Sequence, residues 1–133
     1  MRMILSAAFC MALTFSCGCG DGKSTVATGP SASDDANDLA EMLKEYFELR
    51  KKAPNSLADL SDGAATHPVG HSAVQNESYV VYWRVPLSTT DASTVLAYPK
   101  DAATKGGLIV MLNGTVKAMT AEEFKAAPKA GKK

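Results

Sequence analysis

Asn113-Gly114 lies between two apolar runs, "GLIVML" and "TVKAM", and this placement constrains the fold more than any other feature. Asn and Gly both tolerate positive φ, and a turn built on that pair is the strongest short hairpin signal. A two-residue loop pairs Leu112 with Thr115, Met111 with Val116, Val110 with Lys117 and Ile109 with Ala118. That register puts Ile109, Met111, Val116 and Ala118 on one face, expected to be the core face. Thr120 and Glu123 follow at capping-box spacing, so a short helix is expected next, with Phe124 turned inward.

Upstream, "TVLAYP" reads as a strand closed by Pro99, and "SYVVYWRVPL" as a strand closed by Pro86. In the latter, Tyr79, Val81, Trp83 and Val85 share one face, and Val80, Tyr82 and Arg84 the other. Both faces are rather apolar, which predicts a central strand. Before the strands, "ANDLAEMLKEYFELRKK" places Leu39, Met42, Leu43, Tyr46 and Phe47 at i, i+3, i+4, i+7 and i+8. That spacing is one stripe of an amphipathic helix. Asp34 and Asp35 at its start and Arg50, Lys51 and Lys52 at its end suit the helix dipole, and Pro54 stops it. Asn55 or Ser56 caps a short turn carrying Leu57 and Leu60, ended by Gly63. Ala64 to Ser78 is expected to be a loop, because Pro68 and Gly70 disfavour a helix there.

The expected architecture is therefore α+β. An N-terminal amphipathic helix packs on a small three- to four-stranded antiparallel sheet, and a short helix closes the chain. The 133 residues suffice for one domain with a modest core. Fourteen basic and fourteen acidic residues cancel, so there is no electrostatic footprint for nucleic acid. Cysteines occur only at Cys10, Cys17 and Cys19, which rules out a disulfide-stapled domain or a cysteine-ligated zinc site after them.

Those cysteines sit in the stretch "TFSCGCGDGKST", which admits three readings. A phosphate-binding loop needs Gly, four residues, then Gly-Lys-Ser/Thr. Counting back from Gly22-Lys23-Ser24 puts Cys17 where the first Gly should be, so that reading fails. A zinc site needs four ligands, and Cys17 and Cys19 have no partner pair. The third reading is processing. Arg2 precedes "MILSAAFCMALTFS", an apolar core too short to span a bilayer comfortably. A basic residue, an apolar core and then small residues make an export signal. An apolar core ending in a small residue and then Cys resembles a bacterial lipoprotein signal. That resemblance implies lipidation, including palmitate, at Cys17 or Cys19, with ordinary secretory cleavage as the alternative.

The chain then divides into a signal at 1–18, a flexible linker at 19–34, one domain at 35–127 and a disordered tail at 128–133. The linker "GKSTVATGPSASDD" holds too little apolar area to fold.

Two segments carry a second resemblance. "LAEMLKEYFELRKKAPNSLADL" gives a helix, a proline and a leucine pair, and "VLAYPKDAATKGGLIVMLNGTVKAMTAEEF" gives a strand, a glycine-rich loop, an Asx-Gly hairpin and a closing helix. This order resembles the head domains of bacterial type II secretion pseudopilins, and more closely the pseudopilin-like secreted proteins of planctomycetes. The chain lacks the family's Gly-Phe-Thr-Leu-x-Glu processing site. It carries Ala103 where many relatives have His, and Asn113 where they have Asp. The resemblance implies a fold and a bacterial envelope location, not an activity.

Catalytic constellations are sparse. Glu41, Glu45 and Glu48 share the polar face of the first helix with Lys44, as a solvated, ion-paired surface does. Asp59, Asp62 and Asp91 fall in turns, where Asp bonds its own backbone. Asn76-Glu77-Ser78 and Asn113-Gly114-Thr115 match the glycosylation pattern, read as chance matches in a bacterial protein. The metal-ligand candidates are His67 and His71, in a stretch read as a solvated loop. The expectation is a non-catalytic lipoprotein without a cofactor, exported to the envelope and anchored by lipid facing the periplasm. Its partners are the membrane and an envelope protein. The alternatives are a metal- or small-ligand-handling protein using His67 and His71, and a pseudopilin-like secretion component.

Overall fold

Ser31 starts the first helix with a reciprocal cap: its hydroxyl accepts from the Asp34 N–H, and its own N–H donates to Asp34 Oδ2 at 3.0 Å. A computed structural model of the chain describes residues 31–131. The signal, Cys17, Cys19 and most of the linker lie outside the described residues. Helix α1 spans Ala32–Arg50, so the last residues assigned to the linker, Ala32 to Asp34, belong to the folded domain. The Ser31 cap explains the earlier start, since two orphan N-terminal donors are satisfied there. Lys51 ends the helix in the left-handed region at φ 53°, its N–H returned to the Phe47 carbonyl.

The expected α+β architecture is present. A 3-10 helix, Leu57–Ala65, follows α1 and places Leu60 in the core. Neither Asn55 nor Ser56 caps it with a side chain. Instead Asn55 donates its N–H (2.7 Å) and side-chain amide (2.9 Å) to Asp59 Oδ2. Helix α2, Pro68–Gln75, occupies the stretch expected to be a loop. Pro68 stands in the first turn, where its missing N–H costs nothing and its fixed φ suits the helix. Gly70 does not break α2. It lets α2 lie against the α1 backbone, where a Cβ would fall 2.4 Å from the Leu39 nitrogen.

Four strands form an antiparallel meander in the order β1-β2-β3-β4. They are β1 (Tyr79–Val81), β2 (Val95–Pro99), β3 (Gly107–Met111) and β4 (Val116–Met119), with a short helix α3 (Ala102–Lys105) between β2 and β3. The strand expected to be central is β1, and it is a three-residue edge strand. Its inward residues Tyr79 and Val81 match the expected face. The pairing stops because the chain turns away at Arg84, which has φ 65° and donates its N–H to the Pro54 carbonyl.

The hairpin at Asn113-Gly114 is present with a different register. Val110 faces Val116, Ile109 faces Lys117 and Leu108 faces Ala118. The Gly114 N–H bonds the Met111 carbonyl, and the Met111 N–H bonds the Thr115 carbonyl. The loop is thus three residues, Leu112 to Gly114, with Gly114 at φ 78°. This is a type I turn closed by a glycine bulge rather than a two-residue turn. The one-residue shift splits the expected core set. Ile109 and Met111 remain buried, whereas Ala118 is exposed and Val116 half-buried.

Both faces of β3 are covered. Val110 packs in a cluster with Leu39, Met42 and Leu43 of α1. Ile109 and Met111 pack with Val95, Met119 and Phe124 on the other face. A bulge between Val95 and Ala97 lets Leu96 and Ala97 both join the α1 side. Helix α4, Ala121–Ala126, opens with the expected Thr120–Glu123 capping box and buries Phe124. Beyond it, the expected disordered tail is placed as far as Gly131. The Val95 N–H donates to the Pro128 carbonyl at 2.8 Å, and the Ala130 N–H donates to the Val95 carbonyl at 2.9 Å. Both Val95 backbone groups point away from β3, so this segment takes the position beside β2 that β1 leaves.

Candidate functional site

Asp38 and Glu45 are seven residues apart on α1, two turns along the same face. His67, immediately before α2, places its ring between them. Its Nδ1 lies 2.9 Å from Asp38 Oδ1, and its Nε2 lies 2.7 Å from Glu45 Oε2. The other Asp38 oxygen accepts the Gly70 N–H at 2.7 Å. The His67 side chain is 15% exposed and that of Asp38 24%. His67 is therefore not the solvated loop residue expected from "HPVGH". Glu45 stays exposed, as expected of that face, but its partner there is His67, whereas Glu41 and Glu48 pair with Lys44 and Lys51.

Two opposing effects act on the His67 proton. Burial is the largest single influence and disfavours the charged ring. The hydrogen bonds to Asp38 and Glu45, with their negative charges, favour it and together prevail, so the imidazole is held above its ordinary value. An imidazolium can donate from both nitrogens at once, which a neutral ring cannot. In this arrangement neither ring nitrogen is open to a metal or to a substrate proton. His71, one turn into α2, is linked to His67 through the backbone, its N–H donating to the His67 carbonyl at 3.0 Å. No group of three or more His, Cys, Asp or Glu side chains placed so as to hold a metal ion occurs among the described residues.

Beside this cluster a cleft of about 130 Å³ opens between α1 and the 3-10 helix. Met42, Leu60, Tyr46 and Leu49 supply its apolar lining. Glu45 and His67 stand at one end. Arg50 and Asp62 stand at the other, joined by a 2.8 Å ion pair. Asp62, expected in a turn, thus also bears on the cleft. Asp59 and Asp91 behave as expected of turn residues. The Thr94 hydroxyl, with further bonds from Ser93 and the Thr94 N–H, holds the Asp91 carboxyl down to about 2.

No family model matches the chain, and no curated protein or solved structure matches it either. Among the described residues, no helix is long and apolar enough to cross a membrane. The lipidation candidates Cys17 and Cys19 lie outside the described residues.

No sequence motif marks Asp38, although it is the anchor of the cluster. The available signal was its spacing. Asp38 and Glu45 flank Met42 at i, i+4 and i+7, so two carboxylates border the buried stripe. A carboxylate in that position needs a partner from a neighbouring element.

Proposed function

We propose that the chain is a non-catalytic envelope lipoprotein whose α+β domain stands off the membrane on a short linker and binds or scaffolds an envelope partner. The observation that carries this reading is the order of the first thirty residues. Arg2, an apolar run to Ser16, the cysteines Cys17 and Cys19, and a Ser/Thr/Gly-rich segment follow one another. The capped start of α1 at Ser31 fits a domain that begins as soon as such a linker ends. The engagement of both His67 nitrogens supports a structural role for the best-placed titratable side chain. A metal-handling role for His67 and His71 finds less support, because a metal on either His67 nitrogen would have to displace a carboxylate. The element order, a helix on an antiparallel meander, is compatible with a pseudopilin-like scaffold and adds no activity.

The intact mass of the membrane-extracted protein tests the proposal. The expected mass is that of a chain beginning at Cys17 or Cys19 plus several acyl chains, since one chain anchors only marginally. A single titratable thiol assigns the lipid to Cys17, and none assigns it to Cys19. A soluble, unacylated product of ordinary cleavage overturns the lipoprotein reading.

A further inference from the structure

Residues 128–131 close an edge of the sheet that β1 gives up. The Val95 N–H donates to the Pro128 carbonyl at 2.8 Å, and the Ala130 N–H donates to the Val95 carbonyl at 2.9 Å, the pattern of a parallel strand. Between these bonds the Lys129 side chain turns back to α4. Its ammonium donates to the Phe124 carbonyl and, at 2.6 Å, to the Ala127 carbonyl, and stands 4.3 Å from the centre of the Phe124 ring. Carbonyls at a helix end and an aromatic face together make a seat for a cation. Gly131 lies on Tyr82, where a Cβ would fall 2.3 Å from Cδ1, so a side chain is excluded there. Ala130 packs against the core cluster that contains Leu96 and Ala97. One slot therefore reads four features of an extended segment: a carbonyl, a cation, the N–H of a small residue, and a glycine.

Little holds the segment in this slot. Two backbone bonds join it to the sheet; Pro128 and Gly131 are exposed, and Lys129 and Ala130 are half-buried. Terminal segments of this kind open locally at lower free energy than the core. Release leaves the N–H and carbonyl of Val95, a fully buried residue, on an open edge that another strand can join. We propose that residues 128–131 are a resident strap, and that the slot receives an extended segment of a partner protein carrying Lys or Arg, a small residue and Gly in succession. The tail of a second copy is less suited. The Ala127 N–H still bonds the Glu123 carbonyl at 2.9 Å and Pro128 already bonds Val95, so no residue is left to span two copies. The inference deepens the reading of a domain that serves an envelope partner, and rests on that reading for the partner's location.

Two measurements test this. In the full chain, hydrogen exchange of the Val95 and Ala130 amides is expected to run at least about tenfold faster than that of Ile109 and Val110, and to be insensitive to low urea, as local release is. The second is a titration with a peptide of residues 126–133, followed by NMR of the Val95 amide and the Tyr82 ring. It uses the parent chain and Ala130→Pro, which removes the donor to the Val95 carbonyl and loosens the strap. The tethered tail competes at a local concentration in the millimolar range, so the variant is expected to bind the peptide about tenfold or more tightly than the parent does. A peptide that itself carries Ala130→Pro should not bind, and one carrying Lys129→Gln should bind several-fold more weakly. If the variant does not fold, the parent must show the same shifts with peptide in excess of the tail's local concentration. Exchange at Val95 and Ala130 as slow as in the core, equal binding of the proline peptide, or no saturable shifts overturns the proposal. A parent chain that dimerises through Val95 as its concentration rises gives the slot to a second copy and overturns it too. None of these outcomes touches the intact mass, so failure of the slot and failure of the lipid anchor are distinguishable.

Discussion

Gly70 of α2 lies directly on the backbone of Leu39 in α1: a Cβ on Gly70 would stand 2.4 Å from the Leu39 nitrogen and 2.6 Å from its Cα. Backbone cannot swing aside as a flexible side chain can. Alanine at this site would gain about 1 kcal/mol of helix propensity, but overpacking of a tight contact costs typically 1–3 kcal/mol and sometimes more. Because the clash is with backbone, the upper end of that cost applies, and Gly70→Ala is expected to destabilise the domain by about 2 kcal/mol or more net. Urea denaturation checks this. A variant as stable as the parent would show that α2 is not seated on α1 in this way.

The His67 bridge makes stability depend on pH. The imidazole binds its proton more tightly in the fold than in the unfolded chain, where it titrates near 6.5. Its stabilising contribution is then fully present below about pH 6.5 and is lost as pH rises through the higher folded-state value. Denaturation midpoints are expected to fall between neutral and mildly alkaline pH, and His67→Gln should flatten that fall. An unchanged slope in the variant would assign the pH dependence to other groups.

These two contacts also show where the sequence stops being readable. The apolar stripe of α1, the strand at Val95–Pro99 and the Thr120 cap depend on residues within a few positions of each other, and all appear as expected. Helix α2 does not, because Pro68 and Gly70 are local breakers. Their tolerance depends on Pro68 being in the first turn and on Leu39 passing underneath. His67 meets partners 29 and 22 residues away, which no local spacing reveals. The alternation of Tyr79 and Val81 was readable, but the departure of β1 at Arg84 was not. That departure depends on the Pro54 carbonyl and on the C-terminal segment that fills the vacated edge.

Thr120 organises the end of the domain. Its hydroxyl accepts the Glu123 N–H at 3.2 Å, and its own N–H donates to Glu123 Oε2 at 2.8 Å. The helix so fixed carries Phe124, whose ring centroid is 4.9 Å from that of Tyr98 and 4.3 Å from Lys129 Nζ. Thr120→Ala is expected to cost about 1 kcal/mol, and Thr120→Ser should restore most of it, since the hydroxyl is the capping group. The comparison is made by urea denaturation. Equal midpoints for the Ala and Ser variants would exclude capping as the role of this residue.

Gly114 distinguishes the two possible hairpin loops. A two-residue turn of the Asn-Gly kind needs positive φ at both Asn113 and Gly114. Only Gly114 has it, at 78°, and Asn113 is absent from the positive-φ residues. A Cβ on Gly114 would approach the Lys44 side chain at 2.8 Å, but that side chain is 40% exposed and can move away. Backbone strain should therefore decide the cost, about 1–2 kcal/mol for Gly114→Ala. Gly114→Asn should cost less, because Asn tolerates the left-handed region better than Ala does. If the contact with Lys44 governs instead, the larger Asn will be the worse substitution. A Lys44→Ala background will then rescue both variants, which backbone strain does not allow.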